Sequence, residues 1–395
     1  MKKSDPSVTN PPVILLGGSD NALSIARALG RRSIPVFALN PAGVDVVHSR
    51  HVKRIPTAQH ADLAEAADNF FGGPNSKELE GAVLLAASDD AIVYLSEHRA
   101  ELLKRFLLDL SNPEAALQML DKYATYSAAQ AAGVATPKFW PVDSIIDLKS
   151  IRDQLVFPLI VKPVHSHVFQ QQFGSKFIVA DDHDAVADAV AAVESSGTAA
   201  MLVERVPGPD SMLCSYYSFL DESGEPEFDF TKRIIRRNPP GMGLATYHVT
   251  DHVENIREPS LQLCREVGLI GLVNFEFKLD PRDDQLKLIE CNARFTAGNP
   301  LVQLSGLDLA GYVYNRIVGL PLPPTDEVRN GITMWDPVRD FKAFRALHES
   351  GDLSLPGWLK SVARMHAVHP SFSLHDPAPG LARMRSYVGH RLARE

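Results

Sequence analysis

Cysteine is scarce. Cys214, Cys264 and Cys291 are the chain's three, an odd number without metal-ligand spacing, which excludes a disulfide framework and points to reduced thiols in a cytosolic protein. No run of about 18 apolar residues occurs, so no transmembrane helix is expected. The apolar stretch after the polar start MKKSDPSVTNPP is too short and too broken by glycine for a signal peptide. A surplus of positive charge is missing too: 40 Lys and Arg against 48 Asp and Glu leave a net charge of -8, which gives no footprint for nucleic acid or anionic lipid. Internal repeats and low-complexity segments are absent. A soluble, cytoplasmic, globular protein is expected, 45% hydrophobic, whose 395 residues allow two or three domains.

Residues 12–40 read as strand, glycine turn, amphipathic helix and strand, a βαβ unit. Gly17 and Gly18 leave backbone N–H groups free at a helix start, a place suited to an anion. G-x-G-x-x-G is lacking, however, and Asn40 and Pro41 stand where an acid would close the second strand, which speaks against a dinucleotide. A structural turn of a parallel sheet is the leading reading, a contact to a carboxylate substrate the other. GAVLLAAS (81–88) is a further buried strand, and Asp89 and Asp90 after it suit the dipole of a helix running toward Leu110. A first domain therefore ends near residue 115. Ser111, with Pro113 and Glu114 behind it, starts the next helix, with Leu117, Leu120 and Tyr123 on its apolar side, Met119 at the margin, and Lys122 upon it.

FPLIVKPV (157–164), carrying Lys162, and FIVA (177–180) read as a hairpin with a long polar tip. His165 and His167 at that tip, i and i+2 without a third ligand, make a poor zinc site, so a flap with Gly174 and Lys176 is expected. A helix over 184–194, the strand AMLVERV (200–206) and the turn PGPD (207–210) follow. Residues 213–236 form a strand pair leading into FTKRIIRRNPPGMG, the densest basic cluster. There Arg233 or Arg236 is expected to meet a phosphate or carboxylate, surface solvation being the alternative, and the PPGMG loop could close over the site.

The chemistry concentrates in GLVNFEFKLDPRDDQLKLIECNAR (271–294). Val273, Phe275, Phe277 and Leu279 alternate with Asn274, Glu276 and Lys278, and a second strand returns over 286–291. With a connecting loop of three or five residues, Phe277 faces Ile289 and Phe275 faces Cys291, while Glu276 meets Glu290 and Asn274 meets Asn292. Two carboxylates about 4.5 to 5.5 Å apart repel, and a hard dication between them would answer that; Mg2+ usually arrives with nucleotide phosphates as further ligands. Arg294 points to the same face. A solvent-facing hairpin is the competing reading.

The E-x-N-x-R ending (Glu290, Asn292, Arg294) with Glu276 on the preceding strand resembles the metal-binding hairpin of ATP-grasp carboxylate-amine ligases. The resemblance runs over roughly residues 12–320, close in layout to the D-aspartate ligase-like group and to the ATP-grasp domain of carbamoyl-phosphate synthases. It implies an α/β protein: an N-terminal Rossmann-like parallel sheet (1–115), an ATP-grasp domain of two α+β lobes (116–320, small lobe about 137–205) and a C-terminal helical extension (321–395). It also implies ATP with Mg2+ or Mn2+, the metal held by Glu276, Glu290 and Asn292. Lys122 and Lys162 would offset phosphate charge, Glu204 accept the adenine amino proton, the Val206 N–H donate to the ring and Asp210 grip ribose hydroxyls. Arg294 would steady an acyl phosphate, with Arg233 as second catalytic cation. The partners implied are a small-molecule carboxylate and an amine. For the tail, packing or contact between two copies in a homodimer is the role left. The flap, rich in His and Gln instead of Gly and Ser, departs from the family pattern. A bicarbonate- or carbamate-type enzyme of the same fold and a non-catalytic ATP-binding protein are the alternatives; the first lacks a biotin-carrier M-K-M motif here.

Overall fold

The computed structural model describes residues 10–40, 45–58, 61–142, 145–163, 177–195, 197, 199–363 and 367–392. The expected flap with His165, His167, Gly174 and Lys176 lies outside them. Short apolar runs build the first layer, β1 (Val13–Leu16), β2 (Val36–Leu39), β3 (Val52–Arg54) and β4 (Val83–Ala86), all parallel in the order β3-β2-β1-β4. Helices α1 (Asp20–Arg31), α2 (Leu63–Gly72), α3 (Asp89–Glu97) and the short α4 (Arg99–Leu102) connect or follow these strands. The helix expected from Asp89 toward Leu110 thus stops early. Gly17 and Gly18 both take positive φ, and a Cβ there would stand 2.1 Å from Ser88 Oγ and 2.4 Å from the Ala87 carbonyl. Glycine is required because the turn after β1 packs directly on the turn after β4.

Residues 113–131 hold two helices, not one. Asn112, and not the expected Ser111, caps α5 (Pro113–Leu120), and Asp121, in extended conformation, breaks it and caps α6 (Lys122–Ala131) through the Ala124 N–H. The break turns the buried side to Ala115, Ala116, Met119, Tyr126 and Ala129, in place of the expected Leu117, Leu120 and Tyr123. Lys122 becomes the first residue of a helix.

The small lobe is an antiparallel sheet in the order β5-β8-β6-β7, from β5 (Phe139–Val142), β6 (Leu159–Pro163), β7 (Ile178–Ala180) and β8 (Ala200–Glu204). Helices α7 (Ile145–Ile151) and α8 (His183–Ser195) cover one face over Leu159, Val161 and Leu202. By alternation Lys162, paired with Met201, faces the other way, toward the large lobe.

The large lobe is a seven-stranded sheet, β13-β12-β9-β10-β11-β14-β15. Its strands are β9 (Leu213–Leu220), β10 (Phe230–Asn238), β11 (Leu244–Thr250), β12 (Gly271–Asp280), β13 (Gln285–Asn292), β14 (Thr333–Trp335) and β15 (Ala367–Val368). One face packs Cys214, Tyr216, Val273, Phe275 and Phe277 against α5, α6 and α9 (Arg257–Val267). Part of the other face, Tyr217, Phe219, Phe230 and Leu272, shares a core with α1, α10 (Asn299–Ser305) and α11 (Leu309–Val318). The first layer and the large lobe are therefore joined by continuous apolar burial.

The tail is helical, with α12 (Pro337–Glu349), α13 (Leu355–Val362) and α14 (Ala378–Leu392), and it also lends β14 and β15 to the large sheet. It then returns to the first layer. Asp376 accepts from Arg27 Nε at 2.9 Å, Ser49 Oγ at 2.8 Å and the Arg50 N–H at 3.0 Å, and Arg383 bridges Asp45 and Asp20. Arg27 is 7% exposed and Asp376 2%. Asp376→Ala strands a buried guanidinium and should lower unfolding free energy by about 3–5 kcal/mol, read as a lower denaturant midpoint; a change within about 0.5 kcal/mol would show that this clamp contributes little.

Candidate functional site

Strand register assembles the site. The loop between β12 and β13 has four residues, with Asp280 paired to Gln285, and a bulge at Ile289 restores the pairing an odd loop would give. Asn274 stands opposite Asn292, Phe275 opposite Cys291 and Glu276 opposite Glu290, as expected, but Phe277 meets Leu288 and not Ile289. The freed Ile289 carbonyl accepts from Tyr126 Oη at 3.0 Å, which seats α6 so that Lys122 overhangs Glu290.

Pairing continues across β9 and β10, where Ser215 lies opposite both Glu276 and Lys232. Directly opposed residues share a face, so Lys232, Ser215, Glu276 and Glu290 form one row across four strands. Arg233, Cys214 and Phe277 form the next row, on the opposite face. Arg233 is accordingly turned away from the carboxylates, its Nε donating to Asp251 at 2.6 Å. Arg236 is buried and binds both oxygens of Asp340 at 2.8 Å, fastening α12. Lys232 is the cation of that cluster that shares the face of Glu276 and bears on it most; its Nζ stands 3.2 Å from His248 Nδ1 and over the Tyr217 ring. Period-2 alternation along 230–236 already held that parity, but nothing local said which face was the cleft.

Lys122 Nζ donates to Glu290 Oε1 at 2.6 Å. Each side chain keeps more than a third of its surface open to the cleft, while protein atoms crowd the charged ends. Burial opposes charge on Glu290, yet Lys122, Lys162 and Arg294 outweigh it and hold the carboxyl at about 2. Glu276 moves the other way: burial raises its pKa, with Glu290 adding to the rise against Lys232, Arg237 and Lys122. Among the described residues its carboxylate accepts no hydrogen bond. Lys162 is pushed down to about 7 by burial, then by Lys122 and Arg237, with Glu290 opposing. Arg294, its side chain 17% exposed, donates through Nε to Asp89 at 2.6 Å. Asp89 at the start of α3 thus does more than suit a helix dipole.

The segment 204–210 joins the lobes. Glu204 is buried and its carboxylate is engaged by Arg282 and by the Lys138 N–H at 3.2 Å. Lys278 donates to the Val206 and Gly208 carbonyls at 2.9 and 2.7 Å, and its own pKa falls to about 8, chiefly through burial. The Val206 N–H donates to nothing among the described residues. Asp210, also buried, is held by Arg237 and the Gly241 N–H. Lys278 and Arg282 are contributions to this segment that the sequence did not point to, and Arg237 stood out in it only as part of the basic cluster with Lys232, Arg233 and Arg236.

The donor set of Glu276, Glu290 and Asn292 fits a hard dication. Among the described residues, Ser215 Oγ and Asn274 Oδ1, on the same face, are buried without a hydrogen-bond partner. Among the described residues no three His, Cys, Asp or Glu side chains cluster; two carboxylates and an amide would need outside oxygens to complete the shell of a hard dication.

The two-lobed cleft, the preceding parallel sheet and the carboxylate hairpin give the chain the fold of the ATP-grasp proteins it resembles. The family described as carbamoyl-phosphate synthase L chain, ATP binding domain, matches residues 245–324. D-aspartate ligase from Enterococcus faecium is 25% identical over 256 residues, 62% of this chain and 60% of that protein, so the chain spans less than two thirds of this relative. Among solved structures, L-amino acid ligase from Bacillus licheniformis matches with a TM-score of 0.62 at 18% identity, covering 82% of this chain and 80% of that one. Biotin carboxylase from Campylobacter jejuni matches with 0.64 at 14%, covering 82% and 74%. Among the described residues no helix is long and apolar enough to cross a membrane.

With Lys162 at about 7 in the free protein, a polyphosphate in the cleft should restore the ammonium form. Nucleotide binding at pH 8 then takes up most of one proton, and affinity falls as pH rises through 7. Calorimetry in buffers of different ionisation enthalpy measures this; uptake unchanged in Lys162→Met would remove Lys162 from the phosphate site.

Proposed function

We propose that the chain is an ATP-dependent carboxylate-amine ligase, which activates an acid, in our reading that of an amino acid, as an acyl phosphate and joins it to an amine. The carboxylate oxygen attacks the γ-phosphorus as ADP leaves, and the amine nitrogen then displaces phosphate to form the amide. One observation carries the reading: Glu276 and Glu290 stand opposite each other in a cleft where Lys122, Lys162, Lys232, Arg237 and Arg294 all bear on them. Such an arrangement suits a site for a polyanion and its counter-cation, not a solvated surface.

Mg2+ held by Glu276, Glu290 and Asn292 would supply charge compensation at the phosphates. Lys122, now on Glu290, and Lys162 from the small lobe would close on the phosphates from two sides. Arg294, kept in place by Asp89, would present its remaining N–H groups to the acyl phosphate and the oxyanion formed from it. The Val206 N–H would meet the adenine ring. We assign Arg233, on the far face with Asp251, no contact with the reacting atoms. Positioning and charge stabilisation suffice for this chemistry, so no Ser-His-Asp or Cys-His set is required. The reactants are small molecules, and the three unpaired buried cysteines are in keeping with the cytoplasm.

The test is ADP release measured over a panel of amino acids paired with amines. Release should require both an acid and an amine, and Glu290→Gln should reduce it by about two orders of magnitude or more with the fold unchanged by circular dichroism. Full turnover in that variant would overturn the site assignment. Stimulation by bicarbonate alone would move the reading to a carboxylase.

A further inference from the structure

The first layer ends on an open edge. In the order β3-β2-β1-β4, β4 is the last strand and pairs along one side with β1. On its other side a single residue, Leu107, continues the ladder: its N–H donates to the Ala82 carbonyl and its carbonyl accepts the Leu84 N–H, both at 2.9 Å. In a parallel ladder the next rung falls to the residue two places on, here Asp109. That rung is missing, because Arg99 Nη2 donates to the Asp109 carbonyl and holds it away from β4. The Leu84 carbonyl and the Ala86 N–H point to this side by the same alternation, and among the described residues neither has a partner. Leu84 is 2% exposed, and buried backbone groups are seldom left unpaired.

The gap beside this edge is a cavity of about 580 Å³, mouth included, between α3, α4, the start of β12 and residues 293–295. Small-molecule sites have this size. Ile92, Leu95, Leu108, Leu272 and Val313 give it apolar walls, and Ser96, Arg99 and Asp109 add polar groups. Among the described residues Arg99 Nε and Ser96 Oγ make no hydrogen bond, and the Arg99 side chain is 20% exposed. Asp109 Oδ1 accepts from the Ser111 N–H and hydroxyl, while its Oδ2 is not engaged among the described residues. Ser96, Arg99 and Asp109 all stand apart from the row of acids and cations in the cleft.

We infer that this cavity binds one free α-amino acid with a small apolar side chain. The vacant rung has an acceptor and a donor at the spacing that the N–H and carbonyl of Leu107 span one rung below. The ligand's ammonium donates to the Leu84 carbonyl, its carboxylate accepts from the Ala86 N–H, and its side chain lies among the apolar walls. Arg99 and Ser96 supply further donors for the carboxylate, and Asp109 supplies negative charge for the ammonium. The inference does not depend on the ATP-site reading, since no contact in it involves a nucleotide.

The test is calorimetry on the full chain without nucleotide, using L- and D-valine, isovalerate, which lacks the ammonium, and isobutylamine, which lacks the carboxylate. At least one valine enantiomer should bind at millimolar concentration, and each truncated analogue should bind about tenfold more weakly or worse, the worth of one hydrogen bond to a charged group. Arg99→Met should weaken valine by a similar factor, and Ser96→Phe, which places a ring in the cavity, should remove this binding, with the fold unchanged by circular dichroism. Should one variant fail to fold, the other decides. Binding of neither enantiomer, an analogue as tight as valine, or valine binding unchanged in a folded variant would each overturn the inference. The ATP reading is judged separately, by ADP release.

Discussion

Two carboxylates opposed on neighbouring strands are an arrangement that a sheet does not choose for its own stability. Like charges directly across a ladder cost up to about 1 kcal/mol, and here both sit where water is partly excluded. The protein tolerates the pair because the reverse side of the same strands, Phe275, Phe277, Leu288 and Cys291, is anchored in a deep apolar core, so the register cannot slip without exposing that core. Cations then converge from separate elements: Lys122 from a helix start, Lys162 from the small lobe, Lys232 from β10 and Arg294 beyond β13. The two acids differ as a result, Glu290 firmly ionised and Glu276 less ready to lose its proton.

The same economy of buried charge shapes the segment that joins the lobes. Glu204, the Val206 and Gly208 carbonyls, and Asp210 are each met by a cation of the large lobe: Arg282, Lys278 and Arg237. Buried carbonyls and carboxylates left unpaired would be costly, and pairing them fixes this end of the cleft to the large sheet. The small lobe carries Lys162 on a sheet with its own core.

The tail, silent in chemical motifs, has a mechanical part. It extends the large sheet by two strands, buries Arg236 through Asp340, and returns to the first layer through Asp376 and Arg383. The first layer, which supplies Asp89 to Arg294, is thus held against the large lobe both by a shared apolar core and by these buried ion pairs. The placement of Arg294 depends on residues far from it in the chain.

Local periodicity settled what is local. Alternation over 273–279 and the ending Glu290, Asn292, Arg294 were enough to put two acids and an amide on one face, and the apolar runs with their glycine turn were enough for a parallel first layer. Where a residue's role depends on which strand lies alongside, sequence had no purchase. Lys232 and Arg233 are neighbours of equal charge, and only the pairing of β10 with β9 and β9 with β12 turns one to Glu276 and the other to Asp251. The Asp121 break, the bulge at Ile289 that corrects a four-residue loop, and the meeting of Asp89 with Arg294 likewise arise from packing between segments distant in the chain. The amino-acid order by itself determined which side chains travel together along each element; the tertiary structure alone decided which of those faces became the cleft, because burial and charge pairing act through space and the chain's periodicities do not record it.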